Sequence, residues 1–146
     1  MKLHSLVDDI YSQLSGLSEG KEFNLKEEDL DMTMSRIKSS ILEWSKPSER
    51  NAEFTLRMSN IGRPLRQLWY ESKAEPRSHS IGGATQIKFL YGHILEEIVL
   101  MLVRAAGYAV TDEQKEVTVK GIKGHIDCKI SGEVVDIKTA SRIAFN

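Results

Sequence analysis

"KGIKGHIDCKISGEVVDIKTAS", residues 120–141, is the stretch on which the reading of this chain turns. Ile122, Gly124, Ile126, Cys128 and Ile130 alternate with Lys123, His125, Asp127 and Lys129. That period of two sends successive side chains to opposite faces of a strand. Ser131-Gly132 suits the two central positions of a tight hairpin turn. Counting back from that tip pairs Ile130 with Glu133, Cys128 with Val135, Asp127 with Asp136, Ile126 with Ile137 and His125 with Lys138. Two aspartates then stand opposite each other with Cβ atoms about 5 Å apart. Asp is a poor strand former, and like charges across a sheet repel, so a compensating cation is expected between them. A hard divalent ion, Mg²⁺ or Mn²⁺, suits carboxylate oxygens. Lys138 lies two residues after Asp136 and projects from the same face. There it is placed to position water or to stabilise charge on a phosphate oxygen. The plain alternative is a solvated strand whose acids are balanced by Lys123, Lys129 and Lys138.

Working outward, the segment before the hairpin is also period-two from Ala109, and before that the pattern is helical. "IKFLYGHILEEIVLMLVRAAGY" is the longest apolar helix, ending near Gly107. It carries Glu96 and Glu97 amid Leu90, Ile94, Leu95, Ile98 and Leu102. An acid in such surroundings must face water, find a partner or bind a metal. One of the two is thus a candidate third ligand; a polar helix edge explains the other. "AEPRSHSIGGATQ" has the composition of a loop. Phe54, Leu56 and Met58 alternate as a short strand would, and Ser59 or Asn60 is placed to cap a helix carrying Leu65, Leu68 and Trp69. The first two helices have apolar stripes at Leu3, Leu6, Val7, Ile10, Leu14 and Leu17, then at Leu30, Met34, Ile37, Ile41 and Trp44. Gly16 and Gly20 end the first helix, Asn24 or a nearby acid caps the second, and Pro47 stops it.

The chain has 146 residues, 40% apolar and 28% charged, with a net charge of -1. That suits one soluble domain and gives no global signal for nucleic acid or membrane. Residues 1–31 carry three Lys against eight Asp or Glu, whereas Arg57, Arg63, Arg66, Lys73 and Arg77 outnumber Glu71 and Glu75 in the middle. An acidic front and a basic middle are compatible with one face meeting an anion. A single cysteine, Cys128, excludes an internal disulfide and falls on the apolar face, as a small core residue. No apolar run is long enough for a membrane span and no leader is evident, so a cytoplasmic protein is expected. "SIGGAT" lacks the Gly-Lys-Ser/Thr of a phosphate-binding loop. Burial against the long helix is expected for Trp69. The order of helices, a long core helix and then strands gives an α/β or α+β class.

Gly92-His93-Ile94-Leu95-Glu96, Gly124-His125-Ile126-Asp127 and Asp136-Ile137-Lys138-Thr139 occur in this order on a helix, a strand and its neighbour. This pattern resembles the PD-(D/E)XK nuclease superfamily, specifically its RecB-like and phage-type exonuclease branch. The resemblance covers roughly the last 60 residues. It implies a restriction-endonuclease-like core over residues 51–146, a mixed sheet flanked by helices, behind an N-terminal helical region at 1–50. It further implies Glu96, Asp127 and Asp136 as catalytic metal ligands, with the Ile137 carbonyl, and Lys138 orienting the attacking water. Glu97 is the alternate to Glu96. The implied cofactor is Mg²⁺ or Mn²⁺ and the implied partner is DNA, gripped by Arg57, Arg63, Arg66, His125 and Thr139. An exonuclease of phage or prokaryotic recombination, repair or degradation is the expected activity, with a recombination partner protein or self-association in keeping. The alternative is a non-catalytic DNA-binding or assembly module of the same fold. The sequence departs from some relatives, which carry four cysteines for an iron–sulfur cluster, in having only Cys128. It also stops at Asn146, eight residues after Lys138, where relatives continue into a helix that often supplies a Gln and a Tyr.

Overall fold

The structure, a computed structural model, describes residues 3–46, 54–73 and 82–138. Its architecture is mixed α and β, with four α-helices and two small antiparallel sheets among those residues. The helices are α1 (Leu6–Ser18), α2 (Glu27–Trp44), α3 (Leu65–Lys73) and α4 (Gly83–Ala105). The strands are β1 (Val110–Thr111), β2 (Lys115–Val119), β3 (Ile122–Ile126), β4 (Cys128–Ile130) and β5 (Glu133–Val135). One sheet has the order β1-β4-β5; β2 and β3 form the other. Where a mixed sheet was expected, every named pairing is antiparallel; an isolated bridge between Arg57 and Lys123 is parallel.

The core lies where the C-terminal half of α4 meets β4. Leu100, Val103, Ala106, Tyr108, Cys128 and Ile130 are buried together, and Leu3, Leu6, Ile10, Val110, Val135 and Ile137 pack around them. Each large apolar side chain taken fully from water there contributes about 1.5–3 kcal/mol. Polar bonds fasten the N-terminal helices to the same place. Tyr108 Oη donates to Asp9, and Ser5 Oγ donates to Asp9 at 3.0 Å. The Ala105 carbonyl, left without a helical partner at the end of α4, accepts from Gln13 Nε2 at 3.0 Å and Asn24 Nδ2 at 3.4 Å. Asn24 therefore closes the end of α4 and does not cap α2, whose N-cap position is Lys26. Pro47 lies outside the described residues.

The amphipathic stripe of α2 is not its buried face. Leu30, Met34, Ile41 and Trp44 are exposed, while the side turned to α4 carries Asp29, Thr33 and Arg36. The reason is electrostatic: α4 presents Glu97 and Arg104 on that side, and α2 answers with the opposite charges. Three further expectations are corrected. Phe54 to Met58 form no strand; Met58–Asn60 are a 3-10 turn. Neither Ser59 nor Asn60 caps α3, which begins beyond Pro64, whose carbonyl accepts the Gln67 and Leu68 N–H groups. The supposed loop before the long helix is helical from Gly83, with the Gly82 carbonyl taking the Thr85 and Gln86 N–H groups.

Both tight hairpins turn on a residue pair with positive φ, Lys120-Gly121 at 50° and 79° and Ser131-Gly132 at 50° and 89°. Such turns match the twist of the flanking strands. The Ser131-Gly132 tip sets Ile130 against Glu133, Lys129 against Val134 and Cys128 against Val135, the register obtained by counting. Beyond Cys128 that register does not continue. The expected single strand breaks at Asp127 into β3 and β4, which belong to different sheets. Ile126 pairs with Lys115 and His125 with Glu116, instead of Ile137 and Lys138.

Candidate functional site

Asp127 is where the two sheets part, and its own bonds explain the break. Its carbonyl accepts the Gln114 N–H at 2.9 Å, and its Oδ2 accepts the Ile137 N–H at 2.8 Å. The carboxylate thus takes up a backbone donor just past β5 and leaves the ladder. The two aspartates are neighbours across the end of the hairpin as the count predicts, though outside the paired strands. Asp136 interacts with both Asp127 and Lys138, and its Oδ1 accepts from Lys138 Nζ at 2.7 Å. That bond holds the Asp136 carboxyl below its usual range and the Lys138 ammonium above its own.

The third acid comes from α4. Glu96 feels the charges of Asp127 and Lys138, whereas Glu97 points to the opposite side and pairs with Arg36 of α2 at 3.8 Å. Helical geometry separates adjacent residues by 100°, so one face takes Glu96 to the hairpin and the next takes Glu97 to α2. Burial pushes the Glu96 carboxyl up, the hydrogen bond from Gln114 pulls it down, and the Asp127 charge adds to the rise. Of the four residues expected to share a site, Asp127, Asp136 and Lys138 lie beside one another at the end of the hairpin, and Glu96 is linked to Asp127 through Gln114.

Gln114 was not foreseen. It lies in the β1–β2 connection, with φ at 50°, and donates from Nε2 to Glu96 Oε1 at 2.7 Å. Nothing in "TDEQKE" distinguishes it, because its role depends on a turn that folds against a strand encountered later in the chain. Glu113 beside it also went unforeseen. It is ion-paired with Arg36 and, at 2.6 Å, with Arg104, whose side chain is 9% exposed. Asp29, Arg36, Glu97, Arg104 and Glu113 form a half-buried charge network between α2, α4 and this turn.

The oxygen donors of Glu96, Asp127 and Asp136 fit a hard divalent ion chemically. Each, however, is held by a protein donor: Gln114, the Ile137 N–H and Lys138 respectively. Among the described residues no three His, Cys, Asp or Glu side chains stand close enough to hold one ion in these positions. Binding an ion there requires Lys138 to leave Asp136 and the acids to turn toward each other.

The expected DNA-contacting residues are more scattered. Arg57 bridges to Lys123 on β3, and His125 is exposed on β3 opposite Glu116. Arg63 is engaged by Glu71 at 3.1 Å, and the Arg66 guanidinium lies 5.8 Å from the Tyr70 ring centroid. Thr139 lies outside the described residues. Trp69 is not buried against α4. It is 57% exposed, edge-to-face with Tyr70, which is 55% exposed, at 5.1 Å between centroids.

No family model matches the chain, and neither does any curated protein or solved structure. No helix among the described residues is long and apolar enough to cross a membrane.

Proposed function

We propose that this chain is a Mg²⁺- or Mn²⁺-dependent deoxyribonuclease acting through Glu96, Asp127, Asp136 and Lys138. The observation that carries the proposal is how these residues are linked. Gln114 bonds Glu96 with its side chain and the Asp127 carbonyl with its N–H, Asp127 accepts the Ile137 N–H between Asp136 and Lys138, and Lys138 bonds Asp136, while Glu97 is turned away to Arg36. A structural role would not need acids gathered where their repulsion has to be compensated.

A divalent ion held by these carboxylates would supply an activated water and stabilise charge on the phosphate. Glu96, Asp127 and Asp136 are the oxygen donors for it. Lys138, released from Asp136, orients the attacking water or meets the developing negative charge. Asp127 stays aligned through the Ile137 N–H. The exposed Trp69–Tyr70 pair, with Arg66 beside it, offers a face on which bases stack. Arg57 and His125 lie on or against the strand that leads to Asp127 and are placed for phosphate contacts. Such an enzyme, most simply an exonuclease, belongs to prokaryotic or phage DNA recombination, repair or degradation in the cytoplasm, alone or with a recombination partner protein.

The second reading, a non-catalytic DNA-binding or assembly module of the same fold, is favoured by one observation. Each of the three carboxylates already has a protein donor. Cleavage of labelled linear and circular DNA with Mg²⁺, Mn²⁺ or EDTA separates the two. Metal-dependent cutting by the wild type, lost in Lys138→Ala and Asp127→Ala, supports the nuclease. DNA binding without cleavage under any of these conditions supports the module.

A further inference from the structure

We infer that a second copy of this chain packs antiparallel against the exposed face of α2, along the seam Leu30, Met34, Ile37, Ile41 and Trp44. These residues follow one another in steps of four, three, four and three. That spacing repeats every ~3.5 residues. It is the narrow stripe a helix offers to one facing helix, not the wider stripe that covers a globular core. At about 100° per residue the seam lies roughly 90° round α2 from Asp29, Thr33 and Arg36, the side turned to α4. Leu30, Met34, Ile41 and Trp44 are therefore exposed, and Ile37 is half-buried.

The shape and charge of the seam fit its own copy. A groove of about 230 Å³ lies among Met34, Ile37, Lys38, Ile41 and Leu42. The first four stand at i, i+3, i+4 and i+7, the four-sided hole that receives one side chain from a facing helix. Two copies of α2 laid antiparallel, with Glu27 level with Trp44, overlap along their whole length. Leu30 then meets Ile41 of the second copy, and Met34 meets Ile37 and enters the hole. In the same register Asp31 of each copy falls beside Lys38 of the other, on the side of the seam away from α4. Within one helix these two charges are about 10 Å apart along the axis and cannot pair. Thr33 and Ser40 flank the other side without charge. A parallel pairing would set Lys38 beside Thr33 and leave its charge unanswered. A two-fold interface needs this reciprocity, each contact of i with j being repeated as j with i.

The inference is independent of the acidic site, and its test is the oligomeric state. Analytical ultracentrifugation of the full chain over a series of concentrations is expected to show a monomer–dimer equilibrium. Met34→Glu changes a side chain that is already exposed, so it should fold as the wild type does and sediment as a monomer throughout. Asp31→Lys or Lys38→Asp alone sets like charges side by side twice in each dimer and should weaken dimerisation about 10–30-fold. The two reversals combined should restore it. Rescue reports the antiparallel register, because in a parallel pairing these residues never meet. A wild type that stays monomeric at every concentration overturns the inference. So does a dimer that survives Met34→Glu, or one that the combined reversal fails to restore.

Discussion

Gly124→Ala tests how the segment carrying Arg57 is held on the sheet. A Cβ built on Gly124 would stand 2.7 Å from Met58 Cβ and 2.8 Å from its Cγ and Sδ, well inside contact distance. The Met58 Cγ and Sδ can rotate away, but its Cβ is fixed to the backbone of the 3-10 turn. Either β3 or that turn must move. Overpacking of this kind costs about 1–3 kcal/mol, limited above by the energy that docks the turn, which can lift off the sheet. Against it stands the gain of about 0.5–1 kcal/mol for replacing glycine inside a strand. The net expectation is a loss of about 0.5–2 kcal/mol, a fall in melting temperature of about 2–6 °C for a chain of this size.

The sign should depend on Met58. In a Met58→Gly background the obstructing atoms are gone, and Gly124→Ala should stabilise by about 0.5–1 kcal/mol. In Met58→Ala the 2.7 Å Cβ approach remains, so most of the loss should persist. Urea denaturation of the wild type, the three single variants and the two double variants, with midpoints compared at constant slope, gives the answer. Gly124→Ala equally destabilising with and without Met58, or neutral in the wild-type background, would refute the close approach as the reason for glycine there.

Glu113→Ala strips the buried Arg104 of its 2.6 Å partner and should cost about 3 kcal/mol, at the low end of the usual 3–5 because Asp29 remains 4.0 Å away. Glu43→Ala, which breaks an exposed pair with Lys46, should change stability by under about 0.5 kcal/mol in the same urea series. Cys128 is fully buried and burial raises its thiol pKa to about 11, so Ellman's reagent at pH 8 should react only on unfolding. Rapid labelling of the native chain would contradict its place in the core. Trp69→Ala should weaken binding of a single-stranded oligonucleotide by about 1–3 kcal/mol, read by fluorescence anisotropy, with a smaller effect on a blunt duplex. Equal oligonucleotide affinity of the wild type and Trp69→Ala would remove the stacking face.

The hairpin was legible because its determinants are local. Period-two patterning and a Ser-Gly turn fix strands and register within a dozen residues, and Ile130 against Glu133 follows from counting. That Asp127, Asp136 and Lys138 lie side by side was legible for a related reason: residue types that need compensation mark themselves in strand-like surroundings. Where the count ran past the last ladder pair, it failed. Asp127 satisfies Ile137 with its side chain and Gln114 with its carbonyl, and no pattern in the strand announces either bond. Trp69 and the α2 stripe failed similarly, because apolar spacing says which face can be buried and not whether a partner is there to bury it.

The sequence by itself therefore determined the helices, the hairpin register and which acids were candidates, since these depend on neighbours a few residues apart. Tertiary structure turned Glu96 toward Gln114 and Glu97 toward Arg36, broke the strand at Asp127, and brought in the Arg36–Arg104–Glu113 network. Those outcomes depend on elements far apart in the chain meeting around a small core, where a charge must find its partner wherever packing has placed it.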